Sequence, residues 1–288
     1  MKRKFNIVDV VLIVLVAVAG VGVLSLRDRS TGADAAREVS PMRFTVELSM
    51  APADMENQMR PGTDIYRLTD GAYLGKVAAI RSVPHLENEY SPLTGSFERY
   101  EYQDCRDIYV TVENEAYSTP RDIVFGSVAA KICGEMGVKG KGFARNGYVV
   151  GLDTMGAKIA ENNDAGSGAL EATYIIRFEN LRAMLLDGLH AGDKLYEDVT
   201  GALIGEVAEL WTEPYAETHY GPDGVVYAEK ADTYNVYLRM KGRVVEKTDG
   251  YYLDGATELK IGGTVIATSQ YFYRSGYYYQ LESIEEAR

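Results

Sequence analysis

Residues 192–210, GDKLYEDVTGALIGEVAEL, repeat the pattern of residues 62–80, GTDIYRLTDGAYLGKVAAI, at an offset of 130 and without a gap. Extending the comparison to residues 44–92 against 174–222 gives 12 identities in 49 positions, among them Gly62/Gly192, Gly71/Gly201, Gly75/Gly205 and Pro84/Pro214. Gly and Pro matter chiefly for the backbone conformations they permit or forbid, so the repeated object is a backbone path. Dropping four residues from the second copy brings DIYVTVE (107–113) onto TYNVYLR (233–239), and FARNGYVVGL (143–152) then meets FYRSGYYYQL (272–281). The order is kept through roughly 110 residues, which marks a tandem duplication of a whole folding unit.

Within each copy the apolar period is mostly two, the period of a strand with one buried face. RFTVEL and YIIRF open the copies as strands, and PADMENQM and LRAMLLDGL follow as short helices with Met55/Met59 and Leu185/Leu189 on one face. Gly71 and Gly201 mark turns, whereas Gly75 and Gly205 fall inside a strand, where glycine signals a bulge or a bend. Two units are too few for a solenoid. The expected fold is mainly β: an N-terminal transmembrane helix and two tandem, similar, small β-barrel or β-sandwich-like domains, each with a short helix. The expected boundaries are a cytoplasmic tip and anchor at 1–26, a linker at 27–42, copy one at 43–153, a Gly- and Ala-rich linker at 154–172 and copy two at 173–288.

The anchor is read from residues 5–26, apolar apart from Asn6, Asp9 and Ser25 and long enough to cross a bilayer core. Lys2, Arg3 and Lys4 precede it on a very short flank, which predicts a cytoplasmic N-terminus with both copies outside. The apolar run exceeds that of a cleaved signal peptide, the rival reading. Asp9 and Asn6 share a helix face; they suit a headgroup-level position, and contact with a partner helix is the functional alternative.

A net charge of −12 speaks against nucleic acid as a partner. The two cysteines, Cys105 and Cys133, have no CxxC spacing, so neither zinc nor another cofactor is expected, and the choice between free thiols and a disulfide stays open. His85, His190 and His219 lie in no metal or catalytic motif, and ENNDAGSG (161–168) fails the register of a calcium loop. The candidate binding residues are those of P-x-x-E-x-x-Y-x-P, present as Pro84, Glu87, Tyr90, Pro92 and again as Pro214, Glu217, Tyr220, Pro222. Prolines stiffen a chain and remove donors, so this segment reads as a rigid loop that presents Glu and Tyr to a sugar or peptide, or ties them to its own backbone. Trp211, which replaces Arg81, is added as a candidate contact. Tyr is abundant, with 22 residues against 7 Phe, and YFYRSGYYY would show one tyrosine face to the core and the other to a contact surface.

FNIVDVVLIVLV, the GD-x-[IL]-Y…G-x-x-x-G-x-V pattern and LKIGGTV resemble a bacterial family of single-pass, exported proteins of uncharacterised function. The resemblance implies a place near cell-envelope and exopolysaccharide genes and carries over no active-site residue. Copy one departs from the pattern, with GTD for GDK and KICGEM for KIGGTV. The expected role is a membrane-anchored, extracytoplasmic, non-catalytic binding or assembly module, with an envelope protein or polysaccharide as partner. A glycan-active hydrolase with paired carboxylates and a purely structural spacer are the alternatives.

Overall fold

The structure is a computed structural model that describes residues 38–161, 164–221 and 224–287. The predicted membrane span, with Asn6 and Asp9, lies outside them, as do Pro222 and the side chain of Tyr220. Among the described residues no helix is long and apolar enough to cross a membrane.

The chain is mainly β, and each repeat contributes one antiparallel sheet. Repeat one forms β1 (Val39–Pro52), β2 (Asp64–Arg67), β3 (Tyr73–Ser91), β4 (Ser96–Ser118), β5 (Ile123–Phe125), β6 (Val128–Ala130), β7 (Val138–Gly140), β8 (Phe143–Arg145) and β9 (Tyr148–Asp153). Repeat two forms β10 (Leu170–Arg182), β11 (Lys194–Glu197), β12 (Leu203–Gly221), β13 (Gly224–Lys247), β14 (Gly250–Leu253), β15 (Thr257–Glu258), β16 (Thr264–Thr268) and β17 (Tyr273–Glu286). In repeat two the order β10-β17-β16-β11-β12-β13 returns on itself, because β10 also pairs with β13. In repeat one β1 bridges β4 and β9, and Glu135 bridges Tyr148 across the corresponding gap. The short helices are six-residue 3-10 turns, Ala53–Gln58 and Ala183–Gly188.

Alternation builds the cores. Met42, Phe44, Val46 and Leu48 of β1 point inward and are almost fully buried, as are Tyr174, Ile176 and Phe178 of β10. Met42 explains why β1 begins at Val39, inside the predicted linker: the long β4 gives this apolar end a partner, pairing Met42 with Asn114. Tyr174 stands where repeat one has Phe44, and its hydroxyl is satisfied by donating to Ile204 O at 2.6 Å.

The strand registers correct the alignment of the two copies. Glu47 pairs with Tyr109 and Arg177 with Tyr237; Leu48 pairs with Ile108 and Phe178 with Val236. Residues 107–113 therefore correspond to 235–241, and Tyr109 matches Tyr237. The deletion is two residues, located at a hairpin tip: Ser91 pairs with Ser96 across 92–95, but Gly221 pairs with Gly224 across 222–223.

The same hairpins overturn the loop reading of the P-x-x-E-x-x-Y-x-P segments. Pro84, Glu87 and Tyr90 lie in β3, and Pro214, Glu217 and Tyr220 in β12; only Pro92 of the first segment is in a turn. Beyond the sheet each hairpin continues as a two-stranded arm; on the first, Leu86 and Tyr100 are 40% and 44% exposed, so its residues carry no apolar alternation to announce a strand. Pro84 and Pro214 are tolerated because each sits at a register shift, Pro84/His85 and Pro214/Ala216, where the ladder is already interrupted.

Gly75 bears out the expected bend. Its φ is +138°, and a Cβ there would lie 2.3 Å from Glu113 O on the paired strand. Gly75→Ala is expected to cost roughly 2–4 kcal/mol, measured by urea denaturation, because backbone must move. Gly95→Ala at the arm tip, with φ +66° and open space around it, is the comparison and should cost about 1 kcal/mol.

Candidate functional site

Residues from Val39 onward form one compact unit, and the joint between its repeats is built around one carboxylate. Glu47 lies between Val46 and Leu48, so β1 points it away from its own core. It is nevertheless only 2% exposed, because repeat two covers it. Tyr109 Oη donates to Glu47 Oε1 at 2.9 Å, and Arg182 Nη1 donates to the same oxygen at 2.7 Å while Nη2 engages Oε2. This forked geometry is the strong form of the ion pair. Its hydrogen bonds to Glu47 raise the pKa of Arg182 above the ordinary guanidinium value, and burial, with Glu47 beside it, pushes the Tyr109 phenol up to about 12. The Arg81 guanidinium lies over the Tyr109 ring, 4.0 Å from its centroid.

Arg182 is placed by a bulge. Asn180 takes φ +55° between the paired residues Phe178 and Leu181, which turns β10 into the 3-10 turn that follows. That turn packs on repeat one, with Gly188 against Ile132. Backbone bonds add to the joint: Ile132 N–H donates to Tyr271 O at 2.6 Å, and Tyr273 N–H donates to Ile132 O at 3.0 Å. Gln270 Nε2 also reaches back to Ser118 Oγ at 2.9 Å. Tyr109, Ile132, Cys133 and Val150 of repeat one thus belong to the same apolar cluster as the core of repeat two.

Beside this clamp a cleft of about 990 Å³ opens between the repeats. Pro84, Glu87 and Glu89 from the first arm line one side, and Asn180, Lys230 and Arg274 from repeat two line another. Arg99 of the arm approaches Asp232 of β13 at 3.8 Å, and Lys230 approaches Glu217 at 3.4 Å. Arg274 differs from its counterpart Arg145, which closes on the bulge carbonyls of Ser49 and Met50 at 2.8 Å each. Among the described residues Arg274 has no such hydrogen bond and lines the cleft instead. At the cleft wall Asp107 Oδ1 accepts from Ser49 Oγ at 2.9 Å and from Met50 N–H at 3.1 Å, and lies 2.8 Å from His85 Nδ1.

The sequence-derived candidates are dispersed. Pro84 and Glu87 line the cleft and Glu217 reaches it through Lys230, whereas Tyr90 and Pro92 belong to the outer end of the arm. Pro214 pairs with Tyr234 at the base of the second arm. Trp211 is on the outer face of the second sheet, stacked on Tyr237 with centroids 5.3 Å apart and planes 6° apart. In YFYRSGYYY, Tyr278 faces the core and Tyr279 is 44% exposed on the opposite face, as alternation predicted. Glu47, Arg182 and Arg274 were missed. Each looks like an ordinary polar strand residue, and the one available signal was the loss of the Glu47 charge sign at its counterpart, Arg177.

Cys105 and Cys133 are both free thiols. Cys133 holds φ +70° where repeat two has Gly262 at φ +79°, so a turn suited to glycine carries a side chain that packs into the joint. Burial pushes its thiol up to about 12. Among the described residues no group of three or more His, Cys, Asp or Glu is arranged to hold a metal ion.

Arg182→Ala leaves a buried carboxylate held by one phenol. It should lower the unfolding free energy by roughly 2–3 kcal/mol in urea titrations, below the ~3–5 of a fully buried pair because the Arg182 side chain is 42% exposed. The joint should also weaken in alkali. Tyr109 and Cys133 hold their protons more tightly when folded than their ordinary values of 10.0 and 9.0, so stability is full below those values and falls as pH rises toward about 12. Urea midpoints measured from pH 8 upward should show the decline, and Tyr109→Phe with Cys133→Ser should flatten it.

No curated protein and no solved structure matches the chain. A family model described as a domain of unknown function, DUF4330, matches residues 1–153, more than half of the sequence, and ends at the last residue of β9, so that it takes in repeat one and stops before repeat two. The chain belongs to this family of domains of unknown function.

Proposed function

We propose that the protein is a membrane-anchored, extracytoplasmic, non-catalytic binding and assembly module of the bacterial cell envelope, serving polysaccharide synthesis or export. Residues 5–26 are the anchor, and the working surface is the cleft between the two repeats, two small barrel-like domains locked together by Glu47 and Arg182. The observation that carries this reading is Arg274, a guanidinium left without the carbonyl partners of Arg145 and lining a cleft of ligand size. The cleft gathers Arg99, Lys230 and Arg274 together with Glu87, Glu89 and Asp232, and of these three cations Arg99 and Lys230 are paired with Asp232 and Glu217. An arginine fork set among carboxylates and an arm of Glu and Asn suits a polyhydroxylated chain that carries carboxylates, such as an acidic glycan. For the hydrolase alternative Asp107 is occupied by Ser49, Met50 and His85, which leaves Glu87, Glu89 and Asp232 as the cleft carboxylates it would have to use.

The test is calorimetric titration of the full chain in detergent with alginate, a polyuronate, and with neutral dextran. Binding of alginate alone, weakened about 10-fold or more by Arg274→Ala and by added salt, is the expected outcome. Equal affinity for both polymers, or binding untouched by Arg274→Ala, would overturn the assignment of the cleft.

A further inference from the structure

The contact between the repeats is heterologous: the outer sheet face of repeat one receives the 3-10 turn of repeat two. A joint of that kind leaves one copy of each partner surface unused, the outer face of repeat two and the 3-10 turn of repeat one. We propose that these two surfaces bind each other between molecules, so that chains assemble head to tail through a second copy of the joint they already contain.

The unused face has the composition of a buried one. In repeat one Ile132 and Val150 are 2% and 6% exposed beneath repeat two; their counterparts Ile261 and Tyr279 are 49% and 44% exposed. Leu281, the counterpart of Leu152, is 37% exposed. The cross-strand row Tyr148–Glu47–Tyr109–Arg81 is matched by Tyr277–Arg177–Tyr237–Trp211, so the scaffold of the docking face is present in both. Two polar atoms of this second face, Arg177 Nε and Asn235 Oδ1, are buried with no hydrogen-bond partner among the described residues, and Asn235 is only 8% exposed. Leaving such groups unpaired is costly, and an incoming chain would supply partners.

Charge selects the occupant. In the internal joint the face offers a carboxylate, Glu47, and the turn segment an arginine, Arg182. In the unused pair the face offers Arg177, whose Nη2 lies 3.2 Å from Glu179 Oε1 and whose Nε is left unbonded among the described residues. The turn of repeat one carries Asp54 and Glu56, the latter 4.0 Å from Arg106, where repeat two has Met184 and Leu186. That turn has no buried residue, and Met50 beside it is 41% exposed. The reversed signs keep the complementarity and discourage the turn of repeat two, with Arg182, from docking on the Arg177 face. The proposal does not draw on the acidic-glycan reading of the cleft.

Sedimentation velocity of the full chain in detergent, over a series of protein concentrations, tests it. Wild type should grow through dimer and trimer to larger species without a closed end point. Ile261→Asp, at an exposed site, should weaken association at least ~10-fold, with Tyr279→Asp as a second variant of the same face. A chain with Asp54→Arg and Glu56→Arg should lose association to the same extent. Mixing the Ile261→Asp chain with the Asp54→Arg/Glu56→Arg chain should restore a dimer that grows no further, because each supplies the one intact surface the other lacks. Unchanged thermal unfolding of each variant separates a docking defect from misfolding. A monomer at every concentration, an oligomer indifferent to both sets of substitutions, or mixtures that stay monomeric would each overturn the proposal.

Discussion

A carboxylate that its own strand turns outward, and that a neighbouring repeat then buries, is the constraint on which the joint depends. Glu47 could not sit at 2% exposure without compensation, since desolvating a lone carboxylate costs several kcal/mol. Arg182 and Tyr109 supply that compensation, and both are held by features of the backbone: a bulge at Asn180 and a cross-strand pairing in β4. Around the pair lie the apolar contacts of Ile132, Val150 and Leu185, which gain free energy only if the polar centre is satisfied. The orientation of one repeat on the other, and hence the cleft, follows from where that pair can form.

Duplication explains why the two copies have drifted in opposite senses. The outer face of repeat one has become interior and carries Val150 and Cys133 at positions where repeat two has Tyr279 and Gly262. The 3-10 turn of repeat two has become interior and carries Met184 and Leu186 where repeat one keeps Asp54 and Glu56. Identity survives instead at positions such as Gly75/Gly205, where a backbone conformation is at stake and burial history is irrelevant. Arg145 and Arg274 illustrate a third outcome, one residue type with two roles: it closes a bulge in one copy and lines a cleft in the other.

The repeat, the strand-rich character and the strand bends were legible because glycine spacing and period-two alternation report local backbone needs. Register was less legible. TYNVYLR (233–239) and NVYLRMK (235–241) match DIYVTVE almost equally in sequence, and only the pairing of Tyr237 with Arg177 decides for the second. The arms resemble loops in the sequence because a two-stranded ribbon projecting beyond a sheet lacks one continuous buried face and hence a hydrophobic period. The cleft was illegible in principle from one sequence. It exists only through the placement of two similar units, and Glu47, Arg182 and Arg274 each satisfy a strand pattern that would equally suit solvent.

The arms have a mechanical side. β3 and β4 run from the core, past the cleft, to the turn at 92–95, and the seven residues of strand beyond Pro84 span about 23 Å. A two-stranded ribbon of that length is a lever, and the register shift at Pro84/His85 is where its ladder is weakest and where it bends most readily. Glu87 and Glu89 lie on the lever arm itself, close to that pivot. The same two strands form the tip and one wall of the cleft, so the cleft has a wall that is also a projecting arm.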